Sequence, residues 1–185
     1  MIALLAIAFL AVAILPQVWV AWTIRRHGAA RPDLPGTGGE LARHLLNRFD
    51  LAHVKVEITD KGDHYDPDDK AVRLLKQHHD GRSLSAVAIA SHEVGHAIQD
   101  RRDERALQTR QSLARLATQT DQIAFWFFLA APVLGILART PLAFAAVVGL
   151  GVALLGVRVL VNLITLPVEF DASFRKALPI LREGR

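Results

Sequence analysis

Two uncharged runs of 16 residues, Ile123 to Ala138 and Leu142 to Val157, stand almost back to back, with only Arg139, Thr140 and Pro141 between them. Thr140 and Pro141 read as a helix N-cap and a first helical position, so the pair predicts a tight helical hairpin. A chain of 185 residues has little other material with which to cover two such helices in water, whereas a bilayer accepts them bare. Residues 2 to 24 form a third uncharged run. At about 1.5 Å per residue it reaches roughly 34 Å, past a hydrocarbon core of about 30 Å. It has no basic n-region and no convincing small-x-small cleavage site, and Arg25 and Arg26 follow it instead of preceding it, so it reads as an anchor and not a signal peptide. About three transmembrane helices are expected.

Charge orients the spans. Of 22 basic residues, 16 lie in residues 25 to 121 and four follow Arg158, while the hairpin tip holds Arg139 alone. By the positive-inside rule the N-terminus and the hairpin tip face outward, and residues 25 to 121 and the C-terminal segment face the cytoplasm. Trp19, Trp22 and Trp126 fall near the cytoplasmic ends of their spans, where an indole is at home. The implied location is the inner (plasma) membrane, multi-pass. Residues 25 to 121 carry 16 basic against 15 acidic side chains, so the net charge of +4 is not gathered into a nucleic-acid footprint, and no nucleic-acid partner is expected. With no cysteine, thiolate metal sites, disulfides and a cysteine nucleophile are excluded.

The organisation that follows is an N-terminal span (1–24), a cytoplasmic domain (25–122), a transmembrane hairpin (123–168) and a C-terminal segment (169–185). The expected fold is mostly α with a small antiparallel β element. Within the cytoplasmic domain, Thr37 and Glu40 make a capping-box pattern, and Leu41, Leu45, Leu46 and Phe49 give a helical apolar face. Val54, Val56 and Ile58 alternate as a half-buried strand does, and Val72 and Leu74 suggest its antiparallel partner. From Ser83 to Gln122 only Gly95 interrupts strong helix formers, predicting one long helix or two in sequence. His78 and His79, before Asp80-Gly81, read as exposed loop residues.

On that helix lies His92-Glu93-Val94-Gly95-His96, an H-E-x-x-H pattern. Two imidazoles four residues apart sit one above the other on a helix face, close enough to hold one Zn2+ at about 2.0–2.1 Å. Glu93, beside them, is the candidate general base. Gln99 and Arg102 stand where the extended metzincin pattern needs Gly and His, which excludes that class. Glu104 is eight residues beyond His96, about 12 Å along the axis, so a third ligand must come from elsewhere. Past the hairpin the acidic residues are Glu169, Asp171 and Glu183, and Pro167 can start a fresh helical turn just before the first two.

The segments DHYDP (Asp63 to Pro67), AVRLL (Ala71 to Leu75), GRSLSAVAIASHEVGHAIQ (Gly81 to Gln99) and TLPVEFDAS (Thr165 to Ser173) resemble the YugP-type family of neutral zinc metallopeptidases of bacterial membranes, in the same order and over nearly the whole chain. The resemblance implies a zincin-like, membrane-embedded peptidase with a gluzincin-like site: His92 and His96 on zinc, Glu93 activating water, Glu169 as third ligand. It departs at the C-terminus, where members continue into a further hydrophobic segment and this chain stops at Arg185, as a truncated or short variant would. His64 and Tyr65 are further candidates, as donors to an oxyanion or to substrate. Asp171 could pair with Arg175 or orient a zinc-binding ring through its other nitrogen, and Arg158 should snorkel to the interface. The strand Ala71 to Leu75 could align a substrate by edge pairing.

The expected activity is therefore a membrane-bound zinc endopeptidase whose site faces the cytoplasm, with a peptide or protein substrate and the lipid bilayer as its partners. The alternative is a non-catalytic, metal-stabilised membrane scaffold, which would need the ligands but not Glu93.

Overall fold

The structure is a computed structural model that describes residues 2–102, 105–137 and 140–183, excepting the side chains of 2–10, 12, 13, 105–108, 111, 155 and 183. Arg139, the Glu183 side chain and most apolar side chains of the first run lie outside the described residues. The elements are α1 (Ile2–Arg26), α2 (Gly38–Arg48), β1 (Lys55–Thr59), β2 (His64–Asp66), β3 (Ala71–Leu75), α3 (Lys76–His79), α4 (Leu84–Arg101), α5 (Arg105–Leu137), α6 (Pro141–Phe170), a π-helical segment (Asp171–Ala177) and α7 (Leu178–Glu183). They form two compact units, Met1–Glu104 with Phe170–Arg185, and Arg105–Glu169.

In the first unit α2 begins with the expected capping box. Thr37 Oγ1 accepts from the Glu40 N–H at 3.3 Å, and Glu40 Oε2 accepts from the Thr37 N–H at 2.8 Å, so two donors that the helix start would orphan are satisfied. Leu45 and Leu46 point into a core shared with Leu51, Val54, Val72, Leu74 and Val94, and Leu41 and Phe49 close its margin. A Cβ at Gly38 would stand 2.3 Å from the His78 carbonyl oxygen, so only glycine lets α2 approach α3 so closely.

The sheet has three strands in the order β1-β3-β2. The two strands expected to be antiparallel are parallel, Lys55 facing Ala71 and Thr59 facing Leu75. A third strand explains the correction: β2 pairs antiparallel with β3, Tyr65 opposite Val72, so the chain reverses twice between β1 and β3. β2 has three residues, of which Tyr65 alone is a large apolar one, too few to display an alternating pattern. Since β3 is hydrogen-bonded on both sides, it has no free edge, and the edge pairing imagined for Ala71 to Leu75 is excluded. β1 and β2 are the edges instead, and Ile58 of β1 is 51% exposed.

The turn from β2 to β3 is built by Asp66, whose Oδ1 accepts from the Asp68 and Asp69 N–H groups at 2.9 and 3.2 Å. Its Oδ2 takes the Arg73 guanidinium at 2.5 Å. His78 is buried and not exposed, because Asp63 Oδ2 lies 2.7 Å from its Nδ1 while Asp63 Oδ1 accepts from the Leu75 N–H. The long helical stretch is two helices. α4 starts at an N-cap, Ser83, whose Oγ accepts from the Ala86 N–H at 3.1 Å. Its residues Ala86, Ala90, Val94 and Ala97 are fully buried, and it packs on α2, the sheet and the π-helical segment.

The second unit is the helical hairpin. Thr140 Oγ1 accepts from the Ala143 N–H at 3.2 Å, realising the expected cap. Ser112–Leu137 and Pro141–Arg182 are long and apolar enough to cross a membrane, and large apolar side chains such as Ile136, Leu142, Phe144 and Leu163 stand exposed along the hairpin. Pro167 lies inside α6, so it does not begin a new helix. Arg158 does not stand alone as a snorkelling side chain, because its guanidinium is paired with Asp121. Between the two helices a polar cavity of about 220 Å³ is lined by Arg110, Thr118, Asp121, Arg158, Asn162 and Glu169.

Candidate metal centre

α4 carries His92, Glu93 and His96 through the middle of the first unit, with His96 1% exposed and Glu93 also buried. One turn separates the two imidazoles, whose ring centroids are 4.7 Å apart and whose planes cross at 81°. Their Nε2 atoms face each other at 3.2 Å. Two nitrogens bound tetrahedrally at about 2.0–2.1 Å stand about 3.3 Å apart, so the observed spacing suits two corners of one zinc tetrahedron. The Nδ1 atoms point away and are occupied: His92 Nδ1 lies 2.9 Å from Ser173 Oγ, and His96 Nδ1 lies 2.8 Å from Gln99 Oε1. That arrangement leaves Nε2 of each ring turned toward the shared point, as ligating histidines require.

Glu169, the expected third ligand, lies on the last turn of α6. One ligand atom from each of His92, His96 and Glu169 lies within 4.8 Å of the other two. Two imidazoles and a carboxylate are the donor set of catalytic zinc sites of the His2Glu type, and the residues present fit such an ion. Glu169 Oε1 is held by the Arg110 guanidinium, so the carboxylate is not swinging free.

Gly95 sits between the two histidines because the returning chain leaves no room for a side chain there. A Cβ on it would stand 2.8 Å from the Ala172 carbonyl oxygen. That close approach brings Ser173 to His92 and Asp171 to the C-terminal half of α4. Asp171 meets neither ring. Its Oδ2 accepts from Gln99 Nε2 at 2.8 Å and from the Lys176 ammonium, while Arg175, the partner expected from spacing, acts on it through its charge.

His64 and Tyr65 are elsewhere on the unit. His64 Nδ1 lies 2.8 Å from the Gly62 carbonyl oxygen, and the Tyr65 hydroxyl donates to Asp100 Oδ2 at 2.6 Å. Burial, with the Asp100 carboxylate at its hydroxyl, pushes the Tyr65 phenol far above its ordinary value. Lys70 Nζ reaches the same Asp100 oxygen at 2.6 Å, so Tyr65 ties β2 to the end of α4.

Sequence reasoning missed Gln99, Ser173, Lys176 and Arg110. Gln99 had a signal, since three residues from His96 on a helix is contact distance. Lys176 had none, for residues five apart on an α-helix point about 140° apart, and it reaches Asp171 because the chain turns π-helically there. The Leu178 N–H donates to the Ser173 carbonyl oxygen, five residues back, and that wider turn brings residues five apart toward one line.

Residues 2–185 match a protein family described as "Putative neutral zinc metallopeptidase". The chain is 37% identical over 183 residues to "Putative membrane protease YugP" of Bacillus subtilis (strain 168), an alignment that covers 97% of this chain and 77% of that protein. No solved structure matches. With the family match running from residue 2 to residue 185, the chain belongs to the neutral zinc metallopeptidase family so described.

Proposed function

We propose that this protein is a membrane-bound, zinc-dependent endopeptidase acting on peptide or protein substrates at the cytoplasmic face. The observation that carries the reading is the pair of Nε2 atoms 3.2 Å apart on one face of a buried helix, with a carboxylate within 4.8 Å of both rings' donors. A structural zinc site closes its fourth position with a protein ligand, whereas three protein donors leave a position for water or substrate. His92, His96 and Glu169 would hold the ion. When bound, zinc supplies Lewis acidity, lowering the pKa of a water and polarising a carbonyl. Glu93, between the two ligands and buried, takes the water's proton and hands it to the leaving amine. Arg110 holds Glu169 Oε1 and so restrains the carboxylate. The proposed anchoring is by α1 and the apolar parts of α5 and α6, three spans in a zincin-like membrane protein.

The test is metal analysis of the detergent-purified chain beside a casein-type cleavage assay, wild type against Glu93→Gln. A base that is not a ligand predicts about one zinc per chain in both, with hydrolysis only in the wild type. Zinc without hydrolysis in either protein would turn the reading to the scaffold, and loss of zinc in Glu93→Gln would refute its assignment as base.

A further inference from the structure

We propose that Gln99, Asp171 and Lys176 form a relay that fixes the tautomer of His96, making Gln99 a positioning residue for the metal site. The inference rests on the zinc reading above and extends it to residues that touch no ligand position. Its logic is the direction of each hydrogen bond. An ammonium can only donate and a carboxylate can only accept. Lys176, 6% exposed, donates to Asp171 Oδ2, and the same oxygen lies 2.8 Å from Gln99 Nε2.

The Gln99 amide must therefore present its NH2 group to Asp171, and its Oε1 is left facing His96 Nδ1 at 2.8 Å. An amide oxygen can only accept, so Nδ1 of His96 carries the proton and Nε2 keeps a lone pair. That lone pair points toward His92 Nε2, where the ion would be shared. Had the amide been turned over, its NH2 group would face Nδ1, the proton would move to Nε2, and the ligand would be blocked.

At His92 the Nδ1 neighbour is the Ser173 hydroxyl at 2.9 Å, which can donate or accept, so this contact by itself sets no tautomer. The relay also gives the π-helical segment a purpose, because Asp171 and Lys176 are five residues apart and share one hydrogen bond only on the wider turn.

The experiment compares the full-length wild type with Gln99→Met and with the double variant Asp171→Leu/Lys176→Met, which removes both charges together and leaves every residue in contact with the rings in place. Two quantities are read: the 15N shifts of the histidine rings in chelator-treated protein, and the zinc dissociation constant by competition with a chelating dye. A melting curve checks that each variant is folded. The expected result is His96 protonated at Nδ1 in the wild type, proton population transferred to Nε2 in both variants, and a zinc dissociation constant raised about 10- to 100-fold.

A merely structural role would lower the melting temperature without moving the proton. The relay is overturned if wild-type His96 carries its proton on Nε2, or if the double variant keeps the wild-type ring shifts and zinc affinity. Should the double variant fail to fold, Gln99→Met decides by the same two readings. If the wild type binds no zinc, the peptidase reading fails, while the ring shifts of the metal-free proteins still judge the relay.

Discussion

Gly95 illustrates how much a single residue can carry here. Helix propensity favours Ala over Gly by about 1 kcal/mol, so an isolated α4 would gain from Gly95→Ala. In the folded chain the new Cβ would stand 2.8 Å from a backbone oxygen, at Ala172, and backbone cannot swing aside as a side chain does. Overpacking of this kind costs about 1–3 kcal/mol, and the contact it opens carries Ser173 and Asp171. Gly95→Ala is therefore expected to lower the melting temperature and to weaken zinc retention together, both measurable on the purified protein. A variant that melts at or above wild type would show that the two segments are not as closely packed as described. His92, Glu93 and His96 were legible as candidates because helical spacing alone brings their positions together. Lys176 was not, because its place opposite Asp171 depends on a change of helix type that composition does not announce.

At the scale of elements, the start of α2 and the turn from β2 to β3 offer two checks. Thr37→Ala removes the acceptor of the Glu40 N–H, and loss of such a cap costs about 1 kcal/mol, to be read by denaturant unfolding. In the turn, burial raises the Asp66 pKa, but the Asp69 and Asp68 N–H donors and the Arg73 guanidinium outweigh it, so the carboxyl sits below its ordinary value. A carboxyl depressed by folding stabilises fully above its unfolded pKa of about 3.9, and that share is lost as pH falls through the folded value. Asp66→Asn should accordingly melt below wild type at pH 6, with the difference shrinking as the pH is taken below about 4. An equal difference at both ends would mean that the Asp66 charge does not support the turn. The capping box and the two long strands were readable from local pattern. Strand direction was not, since it turned on a three-residue strand whose pairing with β3 is a tertiary event.

At the scale of the whole molecule, the hairpin was readable because apolar length and a Thr-Pro helix start are local signals. The helical continuation through Pro167 and the ion pair between Asp121 and Arg158 were hidden, because partners 37 residues apart meet only when both helices stand side by side. The proposed orientation has its own test. A reporter active only in the cytoplasm should work when fused after Thr120 and after Arg185, but not at Thr140. Export of the domain between α1 and α5 would reverse the assignment. The order of donors along the chain has a last consequence, for biosynthesis. His92 and His96 leave the ribosome before either helix of the hairpin, whereas Glu169 comes at the end of its second helix and Asp171, Ser173 and Lys176 follow both. On the proposed reading a nascent chain holds the base, two ligands and Gln99, but lacks the third ligand and the residues that fix Gln99 and meet His92. Hydrolytic competence then waits until both helices of the hairpin have been made.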